Sequence, residues 1–240
     1  MQGADYTKST AAGRGGAAGR CFAGVRAALF DFDGTLADTL PKICETASRV
    51  LAEHGIAPED QGDLRRLVGP PFPEAFSMVY GVSAGEAASI TEDYRAIYNH
   101  IGADAWPFYK GICGMLERLR GAGLLLGVVS SKGQNLIERG LADNRAAGFF
   151  DVVAGNRPEA PESKAETLAR VLGDLAEQGF ATEDCVMVGD RRFDVEAALS
   201  CGIACVGVTW GATCDRSELE EAGAAAIVDS PDELAALLLG

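Results

Sequence analysis

The stretch Phe30-Asp31-Phe32-Asp33-Gly34-Thr35-Leu36 ends the apolar run Ala27 to Phe30 with two carboxylates separated by one residue, followed at once by glycine. Such a run predicts a buried strand, and in an open parallel sheet ligands bind beyond the carboxyl ends of the strands. Two carboxylates this close repel each other unless a cation lies between them, which predicts a divalent metal with oxygen ligands, most simply Mg²⁺. Because glycine lets the chain turn, the two carboxylates need not share one role.

Three later segments also place polar residues at the end of an apolar run or at the start of a helix. The run Leu124 to Val129 stops at Ser130-Ser131-Lys132, and the run Val186 to Val188 stops at Gly189-Asp190-Arg191-Arg192-Phe193-Asp194. Between them, Lys164 opens an amphipathic helix and is the only lysine in residues 133 to 240. Taken singly, these residues also fit turn chemistry, a helix cap or a solvated helix surface.

Together and in this order, the four segments resemble the four motifs of the haloacid dehalogenase (HAD) superfamily of phosphohydrolases, over about residues 26 to 229. The resemblance implies that Asp31 is the nucleophile, which attacks phosphorus to give an aspartyl-phosphate. It implies that Asp33 is the general acid and then the general base. The second Asp indicates a phosphatase or phosphomutase, because a dehalogenase expels chloride, which needs neither a proton nor Mg²⁺.

The same resemblance supplies the metal site. Asp31, the backbone carbonyl of Asp33 and Asp190 are expected to hold Mg²⁺. Asp194 is expected in the outer shell, acting through water or through Lys164. The predicted cofactor is therefore Mg²⁺, bound entirely by oxygen atoms.

Phosphate binding is assigned by the resemblance as well. Ser130 is expected to bind phosphate oxygens, with Ser131 and the backbone N–H of Gly34 as further donors, and Lys164 to neutralise charge on the nucleophile and the transferring group. The sequence departs from the family pattern in both of these motifs. The second motif has serine where threonine is commoner, which keeps the hydroxyl. Lys164 lies in Pro161-Glu162-Ser163-Lys164 instead of the frequent Lys-Pro-x-Pro form.

The pattern along the chain predicts an α/β fold: a Rossmann-like three-layer core with a parallel sheet, and an inserted α-helical cap domain. Residues 1–24 are expected to form a disordered arm, since they are rich in glycine, alanine and small polar types. Residues 41–105 have helical spacing only and are expected to form the cap. The core is expected to be formed by residues 25–40 and 106–240. In these residues helices alternate with strands that are apolar on both faces.

Composition limits the partners of the protein. The 240 residues include 48% hydrophobic residues and carry a net charge of −14, so we expect neither nucleic acid nor a membrane surface as a partner. Seven cysteines without a C-x-x-C pair argue against a disulfide framework and a zinc site. No apolar stretch approaches the length of a membrane span, and the start of the chain has no hydrophobic segment of secretory type. The expected localisation is cytoplasmic.

The choice of substrate stays open at this point. Leu67 to Phe72 and the Gly189 to Asp194 segment resemble most the phosphoglycolate-phosphatase-like branch, some of whose members act on nucleoside monophosphates or pyrophosphate. The expected partner is a small-molecule phosphate ester. Arg65 and Arg66 are hypothesised to bind a substrate carboxylate. A β-phosphoglucomutase-like mutase and a non-catalytic binding protein remain alternatives, although the latter would need a broken motif and none is visible.

Overall fold

The computed structural model describes residues 22, 24–157 and 159–240. The predicted N-terminal arm, residues 1–24, therefore lies outside the described residues except for Phe22 and Gly24. Phe22 is buried, and its carbonyl accepts a hydrogen bond from the N–H of Val25 (3.1 Å). The arm itself stays a prediction from composition.

A six-stranded parallel sheet forms the centre of the molecule, in the order β3-β2-β1-β4-β5-β6. Its strands are β1 (Ala27–Phe30), β2 (Leu125–Gly133), β3 (Val152–Asn156), β4 (Cys185–Gly189), β5 (Ala204–Val208) and β6 (Ala226–Val228). Every residue of β1 and β4 is buried, because helices cover both faces of the sheet. The predicted α/β class with a parallel sheet is confirmed.

Two hydrophobic clusters separate the layers, and the side chains of β1 alternate between them. Ala28 and Phe30 belong to the first cluster, whereas Ala27 and Leu29 belong to the second. The first cluster is completed by α4 (Ile112–Gly121), α5 (Gln134–Asp143) and α9 (Pro231–Leu239). The second is completed by α6 (Lys164–Glu177), α7 (Arg192–Ser200) and α8 (Arg216–Ala222). This is the three-layer arrangement that the sequence predicts.

The segment between β1 and α4 contains helices and short 3₁₀ turns but no strand. The helices are α1 (Leu40–Glu53), α2 (Glu74–Tyr80) and α3 (Ala84–Tyr98), and the turns are Pro58–Asp60, Leu64–Leu67 and Ala103–Ala105. Packed rings join the segment to the core, since Tyr98 stacks on Tyr94 (5.1 Å between centroids) and meets Trp106 edge-on (6.3 Å). The division into separate core and cap domains at residues 41 and 105 stays a prediction.

The sequence pattern differs from the structure in two places that matter later. Helix α8 was not predicted, because only Leu219 of its seven residues is buried and the rest are mostly charged or small. Strand β2 does not stop at Val129 but continues through Ser130-Ser131-Lys132 to Gly133, with an irregular register. No helix in the described part of the chain is long and apolar enough to cross a membrane.

Candidate active site

Three carboxylates meet at the carboxyl ends of the two central strands. Asp31 follows β1 and extends its pairing, since its N–H donates to the carbonyl of Val188 (2.9 Å). Asp190 follows β4, and Asp194 lies in the first turn of α7. One oxygen of each carboxylate lies within 4.8 Å of the other two, and all three side chains are buried. The motifs that are far apart in the sequence thus form one cluster.

Lys164 is the cation of this cluster. Its Nζ lies 2.8 Å from Asp31 Oδ2 and also contacts Asp194 Oδ1. Burial alone lowers the pKa of Lys164, but the carboxylates of Asp194 and Asp31 raise it well above its ordinary value. The side chain is therefore a permanent ammonium ion held between the two carboxylates.

The charge of the cluster is not balanced by this one lysine. Burial, followed by the charges of Asp194 and Asp31, raises the pKa of Asp190 to about 8. Burial also raises the pKa of Asp194 to about 6, against the opposing effect of Lys164. Asp31 Oδ1 is buried and has no hydrogen-bond partner among the described residues. A divalent cation would supply both the missing charge and a partner for this oxygen, so the all-oxygen cluster suits a metal ion.

Asp190 is held in place by two hydroxyl groups that the sequence analysis missed. Thr35 Oγ1 donates to Asp190 Oδ1 (3.0 Å), and Thr213 Oγ1 donates to Asp190 Oδ2. Gly34 makes this approach possible, because its φ is +77° and a Cβ there would collide with the Asp190 carboxylate and with Thr213. Thr35 adjoins the first motif and was a detectable candidate. Thr213 lies in a loop with no distinguishing pattern.

The predicted phosphate-binding groups are only partly in place. Ser130 and Ser131 line the same cavity as Asp31 and Asp33. Ser131 Oγ has no hydrogen-bond partner among the described residues, which leaves it free for a ligand. Gly34 does not fit its predicted role, because its N–H already donates to the carbonyl of Ala37 (3.0 Å) in the turn after β1. The Gly34 N–H is therefore already used in a backbone hydrogen bond.

Asp33 has a partner that sequence analysis did not identify. Lys132 Nζ lies 2.9 Å from Asp33 Oδ1 and 3.3 Å from Oδ2, and it also donates to the hydroxyl of Tyr98 (3.2 Å). Burial lowers the pKa of Lys132, but the neighbouring Asp33 and Tyr98 raise it well above its ordinary value overall. The position of Lys132 directly after Ser130-Ser131 was the sequence feature that could have pointed to it.

A cavity of about 450 Å³ opens over Asp31 and Asp33. Its lining includes Ser130 and Lys132 of β2, and the helical segment contributes aromatic and apolar lining residues: Leu67, Val68, Phe72, Tyr94 and Tyr98. Lys164, Asp190 and Asp194 are not among the lining residues. Of the three carboxylates in the described cluster, the nucleophile candidate Asp31 is the one that faces the cavity.

Arg65 and Arg66 do not reach this cavity, so the hypothesis that they bind a substrate carboxylate there is not supported. Arg65 is exposed and forms a forked ion pair with Asp63 (2.7 Å). Arg66 lines a second cleft, on the side of Arg191 and Arg192. The ion pair with Asp63 holds Arg65, and the course of the chain places Arg66 in the second cleft.

A parallel α/β sheet with a helical insertion after its first strand, and with a carboxylate–lysine cluster at its carboxyl edge, defines a hydrolase of the HAD type. The family model for haloacid dehalogenase-like hydrolases matches residues 28–208, and the chain belongs to this family. It is a HAD-like phosphatase, a hydrolase that acts on phosphate esters.

Similar proteins have several activities. A 5'-nucleotidase of Pseudomonas aeruginosa is 34% identical over 76% of this chain and 82% of its own length. A phosphoglycolate phosphatase of Synechococcus elongatus is 30% identical over 88% of this chain and 95% of its own. Tyrosine-protein kinase PtkA of Mycobacterium tuberculosis is 38% identical over 76% of this chain, which spans only 62% of that relative. A solved structure of a predicted phosphatase from Clostridium acetobutylicum superposes with a TM-score of 0.83 and 30% identity, covering 90% of this chain and 98% of that one.

Proposed function

We propose that this protein is a Mg²⁺-dependent phosphomonoester hydrolase that acts on a small phosphorylated metabolite through an aspartyl-phosphate on Asp31. The observation that carries the proposal is the geometry of Asp31. Its Oδ2 lies 2.8 Å from Lys164 Nζ, its Oδ1 has no partner among the described residues, and the residue faces the cavity. A carboxylate that Lys164 holds in place, that keeps an oxygen for a cation and that faces the cavity is suited to act as a nucleophile.

The residues present fit Mg²⁺. Asp31, Asp190 and the backbone carbonyl of Asp33 would hold it, and Asp194 would act from outside through Lys164, which it contacts. Oxygen ligands of this kind are the ones that Mg²⁺ prefers. When bound, Mg²⁺ would neutralise negative charge on the transferring phosphoryl group.

The chain's own residues would carry the reaction in two steps. In the first, an oxygen of Asp31 forms a bond to phosphorus while the ester P–O bond breaks, and Asp33 gives its proton to the departing oxygen. In the second, Asp33 takes a proton from water as that water attacks phosphorus, the bond to Asp31 breaks, and inorganic phosphate leaves. Ser130 and Ser131 would orient the phosphate oxygens, and Lys164 would keep the Asp31 carboxylate in place.

Four substrate classes are candidates under this proposal. A phosphoglycolate-like substrate is the first candidate, because the motifs resemble that branch and a phosphoglycolate phosphatase is among the relatives. A nucleoside 5'-monophosphate is the second, because a cavity of about 450 Å³ with Phe72 and Tyr94 in its wall has room and stacking surface for a base. Pyrophosphate and a sugar phosphate, the latter in a β-phosphoglucomutase-like reaction, complete the set.

The test is phosphate release from phosphoglycolate, nucleoside monophosphates, sugar phosphates and pyrophosphate, each with Mg²⁺ or with EDTA. Wild type is compared with Asp31→Asn and with Asp104→Asn, a matched change at an exposed carboxylate. We expect Mg²⁺-dependent release that is lost only in Asp31→Asn. Isomerised sugar phosphate without release would indicate the mutase. Folded wild-type protein with neither product would overturn the proposal.

A further inference from the structure

The orientation of the Asp33 carboxylate depends on one side chain. Among the described residues, Lys132 alone donates to it, at 2.9 Å to Oδ1 and 3.3 Å to Oδ2. Asp33 lies in the turn after β1, and no backbone N–H of the described residues donates to its carboxylate. The hydrogen bonds from Lys132 therefore determine the rotamer of the Asp33 side chain.

Lys132 is itself fixed by aromatic packing. The residue is 9% exposed, its Nζ lies 3.2 Å from the hydroxyl of Tyr98, and the ammonium sits 4.7 Å from the centre of that ring. Tyr98 is 2% exposed and stacks on Tyr94 at 5.1 Å. Lysine gives up much rotamer entropy and hydration when it is buried in this way, so the arrangement is specific and is not the default state of a lysine.

This geometry matters for the first chemical step. A carboxyl group that donates a proton carries it on one oxygen, and the other oxygen remains an acceptor. Lys132 lies closer to Oδ1 of Asp33 (2.9 Å) than to Oδ2 (3.3 Å), so Oδ2 is the more weakly held oxygen and is the one that would bear the proton toward the substrate. A donor that is misplaced by about 1 Å loses much of its catalytic effect, on the order of 10²-fold.

We propose that Lys132, held by Tyr98, is a positioning residue that aims Asp33 at the leaving-group oxygen. This inference rests on the proposed phosphatase function and goes beyond it, because it gives Lys132 a role that the resemblance to the four motifs did not assign, and it connects the last residue of α3 to the proton-transfer step. During that step, the proton passes from Asp33 to the ester oxygen as the P–O bond breaks, and Lys132 stays an ammonium throughout.

The leaving group provides a test that a merely structural role would not pass. An alkyl phosphate needs protonation of its departing oxygen, whereas p-nitrophenol leaves readily as the anion. Because kcat/KM reports on steps up to the release of the first product, it is measured for an alkyl phosphate that wild type hydrolyses and for p-nitrophenyl phosphate. We expect Lys132→Met to lower kcat/KM about 100-fold for the alkyl ester, and less than about tenfold for the aryl ester, since general acid catalysis contributes roughly 10²–10⁴-fold.

Three further variants make the test decisive. Asp33→Asn should show the same selectivity, and adding Lys132→Met to it should cause little further loss on the alkyl ester, since both act on one step. Tyr98→Phe removes only the hydroxyl and should also lower kcat/KM more for the alkyl ester than for the aryl ester, but by a smaller factor. This variant keeps the test valid if Lys132→Met misfolds. Lys110→Met, at an exposed lysine, should match wild type.

The inference would be overturned if Lys132→Met had the same unfolding temperature as wild type and lost kcat/KM equally for the two esters. It would also be overturned if Lys132→Met lost no activity on either ester. If Lys132→Met is unfolded, a Tyr98→Phe variant with the wild-type ratio of kcat/KM for the two esters would overturn it. Failure of the proposed function looks different, because wild type and Lys110→Met would then hydrolyse neither ester, or Asp31→Asn would remain active.

Discussion

Lys164 Nζ lies 2.8 Å from Asp31 Oδ2, so the first residue of α6 is in contact with the residue that follows β1. The start of α6 is fixed by a capping box, in which Ser163 Oγ accepts from the N–H of Glu166 (3.3 Å) and Glu166 Oε2 accepts from the N–H of Ser163 (2.8 Å). A local sequence signal thus determines which residue reaches the nucleophile candidate.

Lys164→Met is expected to lower kcat/KM by at least about 100-fold, because loss of a preorganised charge at the reacting group typically costs 10²–10³-fold. Since Lys164 contacts Asp31 and not the leaving group, the loss should be the same for alkyl and aryl phosphates, unlike that of Lys132→Met. Steady-state kinetics with both esters checks this, with Lys110→Met as the control. Activity within a few-fold of wild type would show that the contact is structural only.

Mg²⁺ is expected to raise the unfolding temperature of the wild-type protein, and Asp190→Asn to remove that effect. A ligand that binds only the folded state at 100 times its Kd stabilises it by about 2.7 kcal/mol. Without metal, removing the Asp190 charge should not destabilise the folded state. Burial and the neighbouring carboxylates raise the pKa of Asp190 to about 8, which means that the folded protein disfavours this charge. Thermal unfolding with Mg²⁺ or EDTA measures both effects. A Mg²⁺-dependent shift that persists in Asp190→Asn would contradict this metal site.

Arg191 joins the cavity wall to the loop that carries Asp190. Its Nη1 donates to the carbonyls of Val68 and Arg65 (3.1 Å for the latter), and its Nε lies 2.9 Å from Glu218. Arg191→Met should raise KM more than it lowers kcat, because the wall at Val68 loses its anchor, and should cost about 2–3 kcal/mol of stability through lost charged hydrogen bonds. Kinetics and urea unfolding test this. An unchanged KM would mean that the wall does not depend on the tether.

Gly69 is expected to be intolerant of a side chain. Its φ is +114°, and a Cβ there would lie 2.6 Å from the ring of Phe193, which packs against this turn. Gly69→Ala should therefore destabilise the protein by about 1–3 kcal/mol more than Gly62→Ala, whose φ is +59° and whose Cβ would meet nothing within 4 Å. Urea unfolding of both variants gives the comparison. Equal losses would show that the approach to Phe193 is not tight.

Much of the fold was predictable because it rests on local patterns. The parallel sheet follows from apolar runs without alternation, and helix α6 begins at Lys164 as its amphipathic spacing predicts. The order of motifs along the chain also predicts which residues meet, since the carboxyl ends of parallel strands lie at one edge. In the structure, Asp31, Asp190 and Asp194 meet as that order predicts.

Contacts that depend on side-chain direction across distant segments were not predictable. The pairing of Lys132 with Asp33 requires β2 to continue past Val129 in an irregular register, and nothing in the sequence marks this. The N–H of Gly34 is consumed by a turn, and Arg65 is held by Asp63, two residues before it. Such errors arise because hydrogen bonds compete, and residue type alone does not show which partner wins.

The role of Asp31 is tested most directly by quenching the reaction in acid during a single turnover, with a substrate labelled in its phosphoryl group, and mapping the label by peptide. If Asp31 is the nucleophile, the label lies on the peptide containing Asp31 in the wild-type protein, hydroxylamine releases it as expected for an acyl phosphate, and Asp31→Asn carries none. Turnover with label on a different residue, or label retained in Asp31→Asn, would contradict the assignment of Asp31 as the nucleophile.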